Sequence, residues 1–183
     1  MALERVAGHG TALRIVSAAV PFLCGLVFSF FANIPVSLTS GQVPPPLLAL
    51  VPVYFWCLVR PDLMTPAVTF AIGLAEDVLS GGPPGVWTLA FVLTYVLVAR
   101  QRDSFASLSG LAAVLGFASA AAICCAVAWC TVAFLALLTQ GAHLPPIGPM
   151  VSELVITVIF YAPTALLMGW LHRRLVGPLR SDI

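Results

Sequence analysis

The eight arginines of this 183-residue chain are its only lysine-or-arginine side chains, and they fall in few places. Arg5 and Arg14 open the chain, Arg60 stands alone, Arg100 and Arg102 form a pair, and Arg173, Arg174 and Arg180 close it. Between these points lie apolar runs. Basic residues beside membrane spans stay on the cytoplasmic side. A bundle of six spans places all eight on one side and none on the other, with both termini cytoplasmic. A seventh span would put Arg173 and Arg174 on the wrong side.

Composition makes the membrane reading hard to avoid. The chain is 61% hydrophobic and 8% charged, where a soluble domain carries about 25% charged residues. A span takes roughly 20 apolar residues. The runs predict helices at about 15–34, 45–59, 65–80, 84–99, 111–138 and 150–171, all in one domain covering 1–183. The fifth run reads as one long tilted helix with an interfacial start near 104–110. Its Ala112, Gly116 and Ala120 recur every four residues as a stripe permitting close helix approach. The first apolar run reads as a true span, because the polar 2–14 stretch makes no signal peptide.

The expected class is therefore an all-α membrane protein with the bilayer as its solvent. A net charge of +1 and the lack of a basic patch give no reason to expect nucleic acid. Cys24, Cys57, Cys124, Cys125 and Cys130 lie in apolar runs at spacings that fit no zinc pattern. They read as small buried residues. No metal and no cofactor is expected.

The one polar block in the interior is Gly73-Leu-Ala-Glu-Asp-Val-Leu-Ser-Gly-Gly-Pro-Pro-Gly85. A carboxylate in an apolar helix is costly unless compensated. The Ser80–Gly85 tail ends one helix and starts the next. Asp77 is about one turn from a helix C-terminus, where the dipole opposes an anion. Its compensation is open among the first N–H groups after Pro84, hydroxyls, His143, a proton and another chain. Gly73, four residues earlier on the same face, admits a neighbouring backbone. Glu76 is rotated by about 100° from Asp77, so the two make a poor acid–base pair; Glu76 snorkels outward or faces a second helix.

Other candidates carry plainer readings. Glu153 is expected in the first turn of the last span, where a carboxylate suits the dipole, or in an outer polar cluster with Asp77 and His143. Pro52 is expected to kink the second span, near Tyr54 and Trp56. The Arg60-Pro61-Asp62 turn is a charged stop or a contact for a cytoplasmic partner.

These residues resemble a known family. Pro52-Val-Tyr-Phe-Trp56, Arg60-Pro-Asp62 and the 73–85 block are similar to the pattern P-x-Y-x-W, R-P-D and G-L-x-x-D-x-x-S-G-x-P-L-G of the bacterial rod shape-determining MreD proteins. Asp77 takes the aspartate position, and Ser80, Gly81, Pro83 and Gly85 the turn positions. Pro84 departs from the usual leucine. The resemblance implies a non-enzymatic scaffold subunit of the cell-elongation machinery in the bacterial cytoplasmic membrane, serving rod shape and peptidoglycan synthesis. It implies MreC, the actin-like MreB, RodA and a class B penicillin-binding transpeptidase as partners. It also implies a fold like the substrate-binding subunit of energy-coupling-factor transporters. The hairpin motif would be Gly73, Asp77, Ser80, Gly81, Pro83 and Gly85. A partner interface would draw on Pro52, Tyr54, Trp56, Arg60, Asp62, Glu76 and Glu153. No catalytic residue is expected. The rival reading is a substrate-binding transporter subunit, which needs a polar pocket between helices, lined by Asp77, Glu153 and Tyr161.

Overall fold

The computed structural model describes residues 19–34, 44–139 and 144–176, and every element among them is helical. The helices are α1 (Ala19–Ala32), α2 (Leu50–Val59), α3 (Pro66–Ser80), α4 (Val86–Arg100), α5 (Arg102–Ala106), α6 (Leu111–Leu138) and α7 (Ile147–Leu171), which runs into a π-helical turn at His172–Val176. The arginines at 5, 14 and 180 and the loop residues Gly41, Gly141 and His143 lie outside the described residues.

α6 and the 147–175 stretch are each long and apolar enough to cross a membrane; α1, α2 and α4 are shorter apolar helices. At 1.5 Å per residue α6 is about 42 Å long, more than the roughly 30 Å hydrocarbon layer. It begins at Gly110, whose φ of 56° breaks it from the five-residue α5. The outward faces carry Phe30, Phe31, Val78, Leu115, Phe134 and Leu166, all exposed. Such a surface suits lipid.

Sequential packing builds the bundle: α3 on α4, α4 on α6, α6 on α7, with α2 against α4, α6 and α7. The Ile72 side chain of α3 fills the space over Gly25 of α1. α2 is therefore the central element. Leu50, Val51, Pro52, Val53, Tyr54, Trp56 and Cys57 are all buried, as a helix apolar on every side requires. Tyr54 meets Phe105, Phe117 and Tyr161 edge-on, and Phe117 stacks on Tyr161 at 4.2 Å. Within the small-residue stripe of α6, Gly116 and Ala120 are buried, while Ala112 faces outward.

Pro52 does not kink α2. The helix starts only at Leu50, so Pro52 occupies its first turn, where no helical acceptor needs its missing N–H. The delay follows from Pro44, Pro45 and Pro46, which lie outside any regular element. That non-helical lead-in still needs its donors satisfied inside a membrane bundle. The buried Leu47 N–H donates to Thr157 Oγ1 of α7 at 2.8 Å, and that hydroxyl donates onward to the Glu153 carbonyl at 2.6 Å.

Five arginines of the described region gather at one end. Arg60 follows α2 and Arg100 ends α4. Arg102 Nε donates to the Leu58 carbonyl at 3.1 Å. Trp56 meets His172 edge-on, which brings the end of α2 beside the turn holding Arg173 and Arg174. Arg60 clamps Asp62 at 2.8–3.3 Å, and these hydrogen bonds hold the Asp62 carboxyl below its usual range. Tyr95 of α4 donates to the Met64 carbonyl at 2.8 Å. α3 then begins on Thr65, which caps the Val68 N–H, with Pro66 in the first position.

Candidate functional site

The hairpin between α3 and α4 sits at the end opposite these arginines, and its centre is Asp77. Only 4% of this residue is exposed. α3 stops at Ser80 because Gly81 adopts a left-handed φ of 67°, the usual helix-ending conformation. The chain turns through Gly82, Pro83 and Pro84. Gly85, with φ of 93°, launches α4. The left-handed Gly85 presents the first N–H groups of α4 to the last turn of α3.

Those groups meet the carboxylate. Gly85 N–H donates to Asp77 Oδ2 at 2.9 Å and Thr88 N–H at 3.1 Å; Trp87 N–H donates to Oδ1 at 2.8 Å. The Thr88 hydroxyl donates to Oδ2 at 2.5 Å. A helix N-terminus offers unpaired donors and a favourable dipole to an anion. Here the anion comes from the preceding helix, so the carboxylate serves as a cap supplied across the turn. Four donors leave it little free acceptor capacity. Ser80 Oγ covers the Asp77 carbonyl at 3.4 Å.

One turn below, the helices touch. A Cβ on Gly73 would lie 2.7 Å from Thr88 Cα and 3.2 Å from Trp87 O. Gly73 and Asp77 share a face of α3, so the close approach and the hydrogen bonds act on the same stretch of α4. Pro83 and the rest of the turn are exposed.

Glu76 points elsewhere. It does not snorkel outward: it is 4% exposed and faces α1, where Asn33 Nδ2 donates to its Oε1 at 2.8 Å. Asn33 was not among the residues that sequence reasoning singled out, and neither were Thr88, Ser29 or Thr157. For Thr88 a signal existed, a hydroxyl in the first turn of an apolar helix. For Asn33 there was none, because it lies 43 positions from its partner.

Glu153 does not lie in a first helical turn. α7 starts at Ile147, earlier than expected, and its first turn holds no acid. Glu153 is buried within the second turn of α7. Pro52, Tyr54 and Trp56 are buried in the bundle, whereas Asp62 lies at the surface. Tyr161 belongs to the aromatic stack with Tyr54 and Phe117. A cavity between α2 and α4, lined by Leu50, Tyr54, Thr94 and their neighbours, measures about 10 Å³. That is no more than the space of about one water, far below the hundreds of Å³ of an ordinary ligand site.

No curated protein and no solved structure matches this chain. A family model described as rod shape-determining protein MreD matches residues 10–180. That family determines rod shape, belongs to the rod-shape complex with MreC and MreB, and is not known as an enzyme family. The match runs through all seven described helices and the Asp77 hairpin, and the chain belongs to the MreD family.

Proposed function

We propose that this chain is a scaffold subunit of the cell-elongation complex. It crosses the bacterial cytoplasmic membrane six times with both termini inside and holds partner membrane segments together without catalysing a reaction. The observation that carries the reading is the state of Asp77. Its carboxylate is occupied by Gly85, Trp87 and Thr88 of its own chain. A group so fully engaged is suited to fixing two helices and poorly placed to move protons or attack a substrate.

The partners in this reading are MreC first, then RodA, a class B penicillin-binding transpeptidase and MreB. Docking uses the outward apolar helix faces, with the Arg60–Asp62 turn available on the cytoplasmic side. The Asp77 hairpin contributes indirectly, by holding the α3–α4 faces in shape. The gathering of five arginines at one end supports the orientation.

The experiment is purification of the tagged chain from its own membranes in mild detergent, with co-purifying chains identified. MreC recovery should be high for wild type and fall for Asp77→Ala at equal amounts of bait. If MreC never accompanies the wild-type chain, the scaffold reading fails. A substrate turned over by the purified chain would fail it equally.

A further inference from the structure

The arginines gathered at one end are not all engaged alike. Arg60 is clamped to Asp62, and Arg102 is taken up by the Leu58 carbonyl. Arg173 and Arg174 are exposed, and no carboxylate meets either among the described residues. Their side chains nonetheless have defined places. The Arg174 guanidinium lies over the Trp170 ring, 4.9 Å from its centre. Arg173 Nη1 lies 3.7 Å from where a Cβ on Gly169 would stand. Each arginine thus folds back on the residue four positions earlier, as helical side chains lean toward the N-terminus. That carries both charges about 6 Å back along the axis, to nearly one height and about 100° apart around the helix. Leu166 and Leu167 stand seven residues before them, about two turns down the same two stripes, and both are exposed.

This surface is cationic above and apolar below. Neighbouring like charges repel, and what relieves them here is an anion with an apolar tail. We propose that this end of α7 binds one anionic phospholipid, its phosphate between Arg173 and Arg174 and its acyl chains along Leu166 and Leu167. A guanidinium presents a planar fork that matches phosphate oxygens. Stacking on Trp170 orders Arg174 before the lipid arrives, which lowers the cost of binding. A tryptophan at the end of a span sits at headgroup level, so the charges are held at the depth of a phosphate. Free phosphate or an acidic peptide would use the cations and leave the leucines bare. An apolar helix of another chain would cover the leucines and leave the cations without a counter-charge. The site rests on the membrane reading above and on no protein partner.

The test uses the purified full chain in detergent, delipidated and then titrated with phosphatidylglycerol or with phosphatidylcholine of the same acyl chains. Native mass spectrometry counts retained lipids and reports the oligomeric state, without MreC and without an assigned orientation, so a failed scaffold reading would leave the result interpretable. Phosphatidylglycerol should be retained saturably and in preference to phosphatidylcholine. Arg173→Gln and Arg174→Gln should each weaken its retention about fivefold, and the two together about thirtyfold. Both positions are exposed, so the double variant should keep the wild-type unfolding midpoint. Trp170→Leu keeps every charge but frees Arg174, and should weaken retention severalfold. Arg100→Gln removes one charge from the end of α4 and should leave retention unchanged. Equal retention of the two lipids by wild type would overturn the site, as would a double variant that binds phosphatidylglycerol like wild type. So would Arg100→Gln weakening retention as much as Arg173→Gln, since the attraction would then belong to the whole basic end. Displacement of the lipid by inorganic phosphate at equal concentration would overturn it in favour of a free anion. A dimer lost in the double variant, without lipid, would overturn it in favour of a second copy.

Discussion

Gly73 of α3 lies against the backbone of Thr88 of α4, so closely that a Cβ on Gly73 would come within 2.7 Å of Thr88 Cα. Thr88 also gives its N–H and its hydroxyl to Asp77, one turn further along α3. The small residue lets α4 approach, and the carboxylate then holds it there. Gly73→Ala should force the helices apart and cost about 1–3 kcal/mol, the usual range for overpacking. Gly81→Ala makes a contrast. A Cβ there meets nothing within 4 Å, so its cost, about 1 kcal/mol, comes from the left-handed backbone alone. Unfolding of both variants in detergent, followed by tryptophan fluorescence, checks the pair. The proposed close contact is wrong if Gly73→Ala unfolds at the wild-type midpoint.

How far the sequence reaches can be judged from these residues. The donors for Asp77 were readable, because a Pro-Pro-Gly turn opens a helix whose first N–H groups have no internal acceptor. Gly73 was readable from its four-residue spacing to Asp77. Local physics governs both. The long helix α6 was readable from 28 residues without charge, Pro or turn. What escaped depends on contacts far apart in the chain. Glu76 meets Asn33 across 43 positions, and Leu47 meets Thr157 across 110. The late start of α2 was a missed local signal, since three successive prolines at 44–46 cannot supply helical N–H groups.

The Thr88 hydroxyl has a separable role. Thr88→Val keeps the shape of the side chain and the backbone N–H bond but removes the hydroxyl donor to Asp77. It should lower stability by about 1.5–3 kcal/mol, the range for a hydrogen bond to a charged group. Thr88→Ser should be milder, because it keeps the hydroxyl. The comparison needs only the two unfolding midpoints. If valine and serine are equal to each other and to wild type, the hydroxyl contributes nothing measurable.

Topology follows from the arginines and can be tested on described positions. Single cysteines at Gly82 and Leu144, in a cysteine-free background, should react with an impermeant thiol reagent in intact spheroplasts. Cysteines at Asp62 and Asp103 should react only after lysis. Each position is exposed, so reactivity reports the side of the membrane and not burial. Labelling of Asp103→Cys in intact spheroplasts, or protection of Leu144→Cys there, would overturn the orientation.

Asp77 is the most demanding position. Asp77→Ala strands the N–H groups of Gly85, Trp87 and Thr88 together with the Thr88 hydroxyl. A hydrogen bond to a charged group contributes about 1.5–3 kcal/mol, and neighbouring bonds do not add. The loss should be at least about 3 kcal/mol. Asp77→Asn should lie between alanine and wild type. Its single amide oxygen can serve the three donors now on Oδ2, but its NH₂ then faces the Trp87 N–H, which loses its acceptor. The expected order of unfolding midpoints is wild type, Asn, Ala. Recovery of MreC with the tagged chain should follow the same order if the hairpin shapes the partner-binding faces. Stability that falls while MreC recovery stays level would separate the two roles and confine Asp77 to folding. Equal midpoints for Asp77→Ala and wild type would show that these four donors do not hold α3 to α4.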